Sequence, residues 1–269
     1  MSQNIITTHN DKIEIKNKNN EIIFYNDFID NFTIFTIGKV GYGNFCNIEK
    51  NRINPSLAST SLLKLKHKLT TSNNFIIIGI RNPIERNLSY FFEIIDYSNK
   101  ELNECRKIKK NNYTHDILYI DKNTFNKSIE EIITLYFNTD IHTEFNNWFE
   151  EFFEITGINK KTFNKSDGLD FYELPNNNKI MIYTLEKLDL NENILNTLFR
   201  GDAPENSINT NPGSSQNKHY NNIYNNTKSQ ITYTQSYLDS QLNTDIMKFF
   251  YSDEDIQGFY NKYTVQNLI

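Results

Sequence analysis

Three apolar runs along the chain predict buried β-strands. They are residues 32–37 (Phe-Thr-Ile-Phe-Thr-Ile), residues 75–80 (Phe-Ile-Ile-Ile-Gly-Ile) and the first part of residues 179–188 (Lys-Ile-Met-Ile-Tyr-Thr). The second run is apolar without alternation and rich in β-branched residues, which is typical of a strand covered on both faces in a parallel sheet. We therefore expect residues 75–80 to form a central strand.

A fourth segment, residues 62–69, reads Leu-Leu-Lys-Leu-Lys-His-Lys-Leu. Leucines at Leu63 and Leu65 alternate with lysines, and strict alternation favours a strand with one buried and one exposed face. This interpretation places His67 near the end of a half-exposed strand.

A strand, a tight turn and a helix are predicted in direct succession around Arg81. Asn82 is a residue type that caps helix N-termini, and Pro83 suits the first helical position. The apolar residues that follow have helical spacing, which predicts an amphipathic helix. They are Ile84, Leu88, Phe91, Phe92 and Ile95.

Helical periodicity returns in residues 127–157 and again near the C-terminus, from about residue 237. Gly157 is a candidate C-cap of the first of these segments. We interpret its aromatic residues, from Phe145 to Phe153, as core rather than as a stacking surface. Two polar stretches, residues 99–125 and 204–228, are predicted to be inserted loops.

Strands that alternate with helices predict an α/β fold with a mostly parallel central sheet flanked by helices. We expect one domain over residues 1–269, with residues 1–30 peripheral to it. Ligands of such sheets bind at the carboxyl ends of the strands, so residues that follow strands are the candidates for function.

Composition excludes several classes of function. The 269 residues carry a net charge of −5, which argues against a protein that coats nucleic acid or an anionic membrane. No stretch approaches the roughly 18 apolar residues of a membrane span, and the first ten residues lack the features of a signal peptide, so we expect a cytoplasmic protein. Two cysteines and five histidines show no metal-ligand spacing, and we expect no metal site.

The loop after the first predicted strand could bind an anion. Glycines Gly41 and Gly43 let backbone N–H groups converge, a helix predicted from Phe45 would add partial positive charge, and Lys39 would add a full charge. The pattern is not a Walker A loop, because the lysine precedes the glycines. An ordinary tight turn remains the alternative for residues 39–44.

A second candidate combines Arg81 with Ser89, eight residues further on in the predicted helix. A guanidinium at a strand exit can make a two-pronged contact with a phosphate, to which a hydroxyl near a helix start can also donate. The alternative is structural, with Arg81 paired to a carboxylate such as Glu85 and Ser89 bonded to the Glu85 carbonyl.

Taken in order, these segments resemble the sulfotransferase superfamily, whose members use 3'-phosphoadenosine 5'-phosphosulfate (PAPS). The specific part is the run Ile-Ile-Ile-Gly-Ile-Arg-Asn-Pro-Ile-Glu-Arg-Asn-Leu-Ser-Tyr-Phe-Phe at residues 76–92. The run, the loop Gly38-Lys39-Val-Gly41 and the late Asn217-Lys218-His-Tyr220 are similar to a group of capsular polysaccharide synthesis proteins. The resemblance covers about residues 32–263 and implies a P-loop-like sulfotransferase fold.

The resemblance also implies roles for individual residues. Lys39 would contact the 5'-phosphosulfate and stabilise charge on the bridging oxygen, and His67 would take the proton of the acceptor hydroxyl. The implied ligands of the donor are Gly41, Gly43 and Asn44 in the loop, Arg81 and Ser89 at the 3'-phosphate, and Lys218. An exposed histidine with no role is an alternative for His67, as is a solvated lysine for Lys218.

The function implied is transfer of a sulfuryl group from PAPS to a hydroxyl of a carbohydrate or polysaccharide, with no metal required. The chain has Tyr42, Gly43 and Asn44 where the family usually has serine or threonine. This departure motivates an alternative, a catalytically degenerate protein that keeps the fold and binds a nucleotide or a glycan. A nucleotide-dependent kinase is disfavoured, because neither a Walker A loop nor a magnesium-binding carboxylate after a strand is found.

Overall fold

The computed structural model describes residues 5–9, 12–16, 22–27, 32–35, 37, 61–101, 124–198, 218 and 220–265. The glycine loop at residues 39–44, the helix predicted from Phe45 and most of the predicted insertion at residues 99–125 lie outside them.

The chain divides into two compact units. The first contains residues 1–81, 148–212 and 248–252, and the second contains residues 82–147, 213–247 and 253–269. A single sulfotransferase-like domain over the whole chain stays a prediction.

The first unit contains a four-stranded mixed sheet with the order β4-β5-β7-β6. Strands β4 (Thr33–Phe35), β5 (Phe75–Ile80) and β7 (Asn178–Thr184) are parallel, while β6 (Leu169–Leu174) is antiparallel to β7. We call the side at which β5 and β7 end the carboxyl edge, and the side at which they begin the amino edge. All six residues of β5 are buried between two parallel neighbours, which confirms the predicted central strand.

A second sheet, which the sequence analysis did not foresee, is built from residues before Phe32. Strands β1 (Ile5–His9), β2 (Lys12–Lys16) and β3 (Ile22–Asp27) form an antiparallel meander. Alternating apolar and charged residues in β2 account for this pairing, because Ile15 is fully buried while Glu14 and Lys16 are partly exposed.

The core of the first unit lies against the four-stranded sheet. Side chains at alternate positions of β5 and β7, such as Ile77 and Met181, pack with Ile15 and with the segment after β7. That segment contains a short 3₁₀ helix at Leu185–Asn191 and the helix Glu192–Leu198. The remaining buried apolar residues of this core are Phe32, Ile34, Phe75, Leu169, Tyr183, Leu188, Ile194, Leu195 and Leu198.

Residues 62–70 are helical, so the prediction of a half-exposed strand there was wrong. Helix α1 (Leu62–Thr70) begins after Ser61, whose hydroxyl accepts a hydrogen bond from the Lys64 N–H. Leu62 and Leu65 are buried while Leu63 is 75% exposed. The leucines that decide the structure are thus three residues apart, which is the helical spacing, and the alternation at Leu63 and Leu65 was misleading.

Most of the other helices lie where helical periodicity predicts them, whereas those at residues 192–198 and 221–230 were not predicted. The helices after α1 are α2 (Pro83–Glu101), α3 (Ile129–Phe137), α4 (Ile141–Thr156), α5 (Glu192–Leu198), α6 (Asn221–Gln230), α7 (Gln235–Leu242), α8 (Asp245–Phe250) and α9 (Asp253–Val265). Asn82 caps α2 as predicted, with its Oδ1 accepting from the Ile84 N–H at 2.9 Å. Gly157 ends α4 as predicted, with a φ of 67° and its N–H on the Phe153 carbonyl at 2.7 Å.

Helix α6 replaces the last part of the loop predicted at residues 204–228. Its sequence, Asn-Asn-Ile-Tyr-Asn-Asn-Thr-Lys-Ser-Gln, has little intrinsic helix propensity. Aromatic packing stabilises it, because the rings of Tyr220 and Tyr224 lie 5.7 and 5.3 Å from the ring of Phe92 on α2. Tertiary contacts therefore override local preference here.

The described residues form an α/β protein with a mixed four-stranded sheet flanked by helices. The aromatic residues of α4 belong to the core as predicted, since Phe145, Phe149 and Phe152 are all buried.

Candidate functional site at the carboxyl edge of the sheet

Arg81 stands at the carboxyl edge of the first unit, where α/β sheets bind ligands. It directly follows Ile80, the last residue of β5, which pairs with Thr184 at the end of β7. Its side chain is partly exposed. The first strand of the parallel set, β4, runs in the same direction as β5 and ends at the same edge. The described part of the chain stops at Ile37 there, two residues before Lys39.

The turn at residues 165–168, which precedes β6, packs closely against the end of β7 at this edge. The buried Thr184 donates its backbone N–H to the Gly168 carbonyl at 2.8 Å, and its hydroxyl points to the same oxygen at 3.4 Å. Gly168 has a φ of 64°, and a Cβ at this position would collide with the Thr184 hydroxyl. Lys187 Nζ and Asn191 Nδ2 donate to carbonyls of the same turn at 2.7 and 2.6 Å. The glycine is therefore required for the close approach of the turn to β7.

An exposed carboxylate, Glu186, lies two residues beyond the end of β7. The hydroxyl of Tyr251, which is 1% exposed, donates to Glu186 Oε2 at 2.7 Å. Both residues belong to the first unit. The edge thus offers a guanidinium at Arg81 and a positioned carboxylate at Glu186. Neither Glu186 nor Tyr251 was predicted from the sequence to have a role.

His67 lies toward the opposite edge of the same sheet. It occupies the last turn of α1. The C-terminus of this helix lies at the start of β7, because Nδ2 of Asn178, the first residue of β7, donates to the Leu69 carbonyl at 3.1 Å. The six residues of β5 separate the two edges by about 17 Å at about 3.3 Å per residue. The imidazole is exposed. The structure therefore does not bring His67 and Arg81 together.

The second unit contains Ser89 and Lys218 on one side of helix α2. Lys218 Nζ lies 4.0 Å from Oε1 of Glu93, and Glu93 is one helical turn beyond Ser89. Residues four apart share a face of a helix, so Ser89 and Lys218 lie along the same face of α2. Lys218 also lies 5.6 Å from the centre of the Tyr220 ring. Lys218 thus lies beside an acidic and an aromatic residue.

Arg86, the second arginine of the run after β5, has a structural role that the sequence analysis missed. It is fully buried in the second unit and pairs with Glu144 Oε2 at 3.1 Å. Its guanidinium also contacts the Asn87 amide oxygen at 2.9 Å and stacks 4.4 Å from the centre of the Tyr90 ring. Burial, with the Glu144 charge, raises the pKa of Tyr90 to about 12. Helical spacing places Arg86 opposite the apolar stripe that contains Leu88, so the sequence pattern carried no signal of its burial.

A buried polar network in the second unit joins three aromatic side chains. His142 Nε2 lies 2.9 Å from the Tyr136 carbonyl, and its Nδ1 lies 2.9 Å from the Tyr237 hydroxyl, which is itself 3.0 Å from the Tyr136 hydroxyl. A carbonyl only accepts, so Nε2 carries the proton and Nδ1 accepts from Tyr237. Burial is the main cause of a lowered pKa for His142 and of a raised pKa, to about 12, for Tyr237.

None of the described helices combines the length and apolar character needed to cross a bilayer. No group of three or more His, Cys, Asp or Glu among the described residues is arranged to hold a metal ion. No family model, curated protein or solved structure matches this chain.

Proposed function

We propose that this chain is a PAPS-dependent sulfotransferase with a P-loop-like sulfotransferase fold. It would transfer a sulfuryl group to a hydroxyl of a carbohydrate or polysaccharide. The observation that carries the proposal is Arg81, which leaves the buried central strand β5 at the carboxyl edge and immediately precedes the capped start of α2. A guanidinium binds a phosphate through two parallel hydrogen bonds, and the carboxyl edge is where such sheets receive ligands.

The reaction is an in-line displacement at sulfur. The acceptor oxygen forms a bond to sulfur while the bond from sulfur to the bridging oxygen breaks, and 3'-phosphoadenosine 5'-phosphate leaves. The chain must hold the donor, neutralise charge on the leaving oxygen and accept one proton. In this proposal, Lys39 supplies the cation at the leaving oxygen, and the N–H groups of Gly41, Gly43 and Asn44 contact the 5'-phosphate.

Glu186 is the proposed acceptor of the proton. It is an exposed carboxylate at the same edge as Arg81, and the buried Tyr251 hydroxyl orients it by donating to Oε2. His67, the base expected from the resemblance, is nearer the amino edge, so the proposal does not rely on it. Ser89 lies on α2, and Lys218 lies against the same face of that helix. Both stay predictions as ligands of the 3'-phosphate.

Binding of 3'-phosphoadenosine 5'-phosphate tests the proposal. We expect calorimetry to detect binding to the full chain, and Arg81→Ala to weaken it by about 1.5–3 kcal/mol, the contribution of hydrogen bonds to a charged group. Arg81→Lys should restore only part of the loss, because an ammonium lacks the paired donors. Lys66→Ala is the matched control, since it removes an exposed positive charge on α1 near the other edge. Absence of binding to the unaltered chain would overturn the proposal.

The alternative, a degenerate binding protein, is favoured by the missing loop hydroxyls at residues 42–44. Transfer of labelled sulfate from PAPS to a panel of oligosaccharides distinguishes the two. For an enzyme, Lys39→Ala should lower the rate of transfer far more than it lowers nucleotide affinity. Nucleotide binding without transfer to any acceptor would favour the degenerate protein.

A further inference from the structure

A polar cleft lies at the amino edge of the first unit, where β5 and β7 begin. Its volume is about 310 Å³, at the lower end of the range of about 300–1,000 Å³ typical of small-molecule sites. The residues that matter for its chemistry are Asn73, Asn74, Asn177, Asn178, Glu173 and Lys179. Arg81 and Glu186 are at the other end of the same strands.

The walls of this amino-edge cleft are fixed by Asn178, whose side chain is fully buried. Its Nδ2 donates to the carbonyls of Leu69, Thr71 and Pro175 at 3.1, 2.9 and 3.1 Å. Its Oδ1 accepts from the backbone N–H and the Nδ2 of Asn74 at 3.0 and 2.8 Å. The amide is thus fully used by the protein, and it holds the helix end, the turn and the strand start in one arrangement.

Two other asparagines have side chains that the framework does not use. Asn73 and Asn177 are exposed and have φ values of 60° and 56°, a left-handed conformation that asparagine tolerates well. Within the part of the chain that the structure describes, no protein group hydrogen-bonds either side-chain amide. Each amide offers one acceptor oxygen and two N–H donors to a molecule in the cleft.

Among the lining residues, the charges of the cleft balance. Lys179 Nζ lies 3.7 Å from Glu173 Oε1, so the ammonium in the lining is paired with a carboxylate, while Lys161 Nζ, outside the lining, donates to the Glu173 carbonyl at 3.1 Å. A free phosphate or sulfate would meet the Glu173 carboxylate beside the Lys179 ammonium, which favours a neutral ligand over an anion. A compact molecule with adjacent hydroxyl groups suits the cleft, because each hydroxyl both donates and accepts hydrogen bonds. The amides and the ammonium supply N–H donors, and the amides and the carboxylate supply acceptor oxygens.

We propose that the amino-edge cleft binds a neutral sugar, with the amides of Asn73 and Asn177 and the carboxylate of Glu173 contacting its hydroxyls. The site is separate from the carboxyl edge and does not depend on the proposed sulfotransferase activity. A sulfotransferase would use the amino-edge cleft to hold a second portion of a polysaccharide. A protein without sulfotransferase activity would still bind the sugar there.

The test is saturation-transfer NMR and calorimetry of the full chain. The probes are glucose, galactose, mannose and their N-acetyl amino sugars, with glucuronate as the anionic comparison. We expect at least one neutral sugar to bind. Its affinity should fall about tenfold or more, which corresponds to about 1.4 kcal/mol, in the double variant Asn73→Gly, Asn177→Gly. Glycine keeps the left-handed backbone at both positions and removes only the amides.

Asn176→Gly is the matched control, because Asn176 also has a positive φ of 62° and is exposed, but it does not line the cleft. An unchanged thermal unfolding midpoint in the double variant would show that the fold is intact. The proposal is overturned if none of the neutral sugars binds, if glucuronate binds more tightly than all of them, or if the control loses as much affinity as the double variant.

The two proposals fail independently. Arg81→Ala should leave sugar binding unchanged, and the asparagine variant should leave binding of 3'-phosphoadenosine 5'-phosphate unchanged. Sugar binding without nucleotide binding would overturn only the proposed sulfotransferase. Nucleotide binding without sugar binding would overturn only the amino-edge site.

Discussion

The hydroxyl of Tyr251 donates a hydrogen bond of 2.7 Å to Oε2 of Glu186. The tyrosine is buried and the glutamate is exposed, so a rigid donor holds a solvent-accessible carboxylate. The pair is local to the first unit and lies at the carboxyl edge, near the end of β7. A buried residue that fixes the orientation of an exposed one is the arrangement expected of a positioned reactive group.

Replacing Glu186 should therefore impair transfer more than binding. We expect Glu186→Gln to lower kcat for sulfuryl transfer by about 10²-fold or more, because a general base contributes about 10²–10⁴-fold. Tyr251→Phe should lower it less, since the carboxylate remains but loses its orientation. Glu151→Gln, which changes an exposed carboxylate on α4, is the control. A Glu186→Gln variant with the unaltered rate would exclude Glu186 as the base.

The two glycines with left-handed backbones should respond differently to alanine. Gly157 and Gly168 have φ values of 67° and 64°, but a Cβ at Gly157 would meet no atom within 4 Å. At Gly168 it would collide with the Thr184 hydroxyl and lie 2.8 Å from the Lys187 Cβ. We expect Gly157→Ala to cost about 1 kcal/mol and Gly168→Ala about 3 kcal/mol of unfolding free energy.

Urea denaturation of the two variants measures this difference. Equal losses would show that backbone conformation alone decides both costs and that the turn before β6 has room to relax.

Stability should decrease on acidification through His142. Burial lowers its pKa below the ordinary value of 6.5 and the Arg86 charge adds to this, while the Tyr136 carbonyl and the charges of Asp140 and Glu144 oppose it. The unfolded chain then binds more protons between the two pKa values, so the contribution is present above about pH 6.5 and is lost as the pH falls below it.

The variant His142→Gln keeps hydrogen-bonding groups but cannot be protonated. We expect its free energy of unfolding to vary less with pH between about 7.5 and 5.5 than that of the unaltered chain, as measured by urea denaturation at each pH. An identical pH dependence in both chains would contradict the role assigned to His142.

Removing the Glu144 carboxylate should leave the buried charge of Arg86 uncompensated. We expect Glu144→Ala to lower the free energy of unfolding by about 3 kcal/mol, because an uncompensated charge is costly in the interior. Glu154→Ala, at an exposed position of the same helix α4, should change it by less than about 0.5 kcal/mol. The double variant Arg86→Met, Glu144→Leu should recover most of the loss, and a further loss there would show that the guanidinium is stabilising in its own right.

The sequence predicted those elements whose structure depends on residues close to one another along the chain. The buried strand β5, the Asn82 cap and the Gly157 C-cap were all evident, since each depends on residues within one or two turns. Helix α1 was mistaken for a strand because alternating leucines and lysines satisfy both periods over eight residues, and only burial of Leu62 and Leu65 decides between them.

Features made by distant segments were not predictable in this way. The residues of the amino-edge cleft come from two turns about a hundred positions apart, and the hydrogen bond between Asn74 and Asn178 joins residues 104 positions apart. Glu186 and Tyr251 are likewise 65 positions apart. No spacing rule relates such residues, because their proximity follows from the order of strands in the sheet.

The single amide of Asn178 has a kinetic consequence. Its Oδ1 accepts a hydrogen bond from the Asn74 N–H, just before β5, while its Nδ2 donates to the Leu69 carbonyl at the end of α1. The hydrogen bond of the Asn74 N–H therefore requires β5, β7 and the end of α1 to be in place together. That amide hydrogen cannot be released by fraying of one turn, so its exchange with deuterium should require the cooperative opening of the whole sheet. The slowest-exchanging protons of the first unit would then include one in a loop, beside the amino-edge cleft.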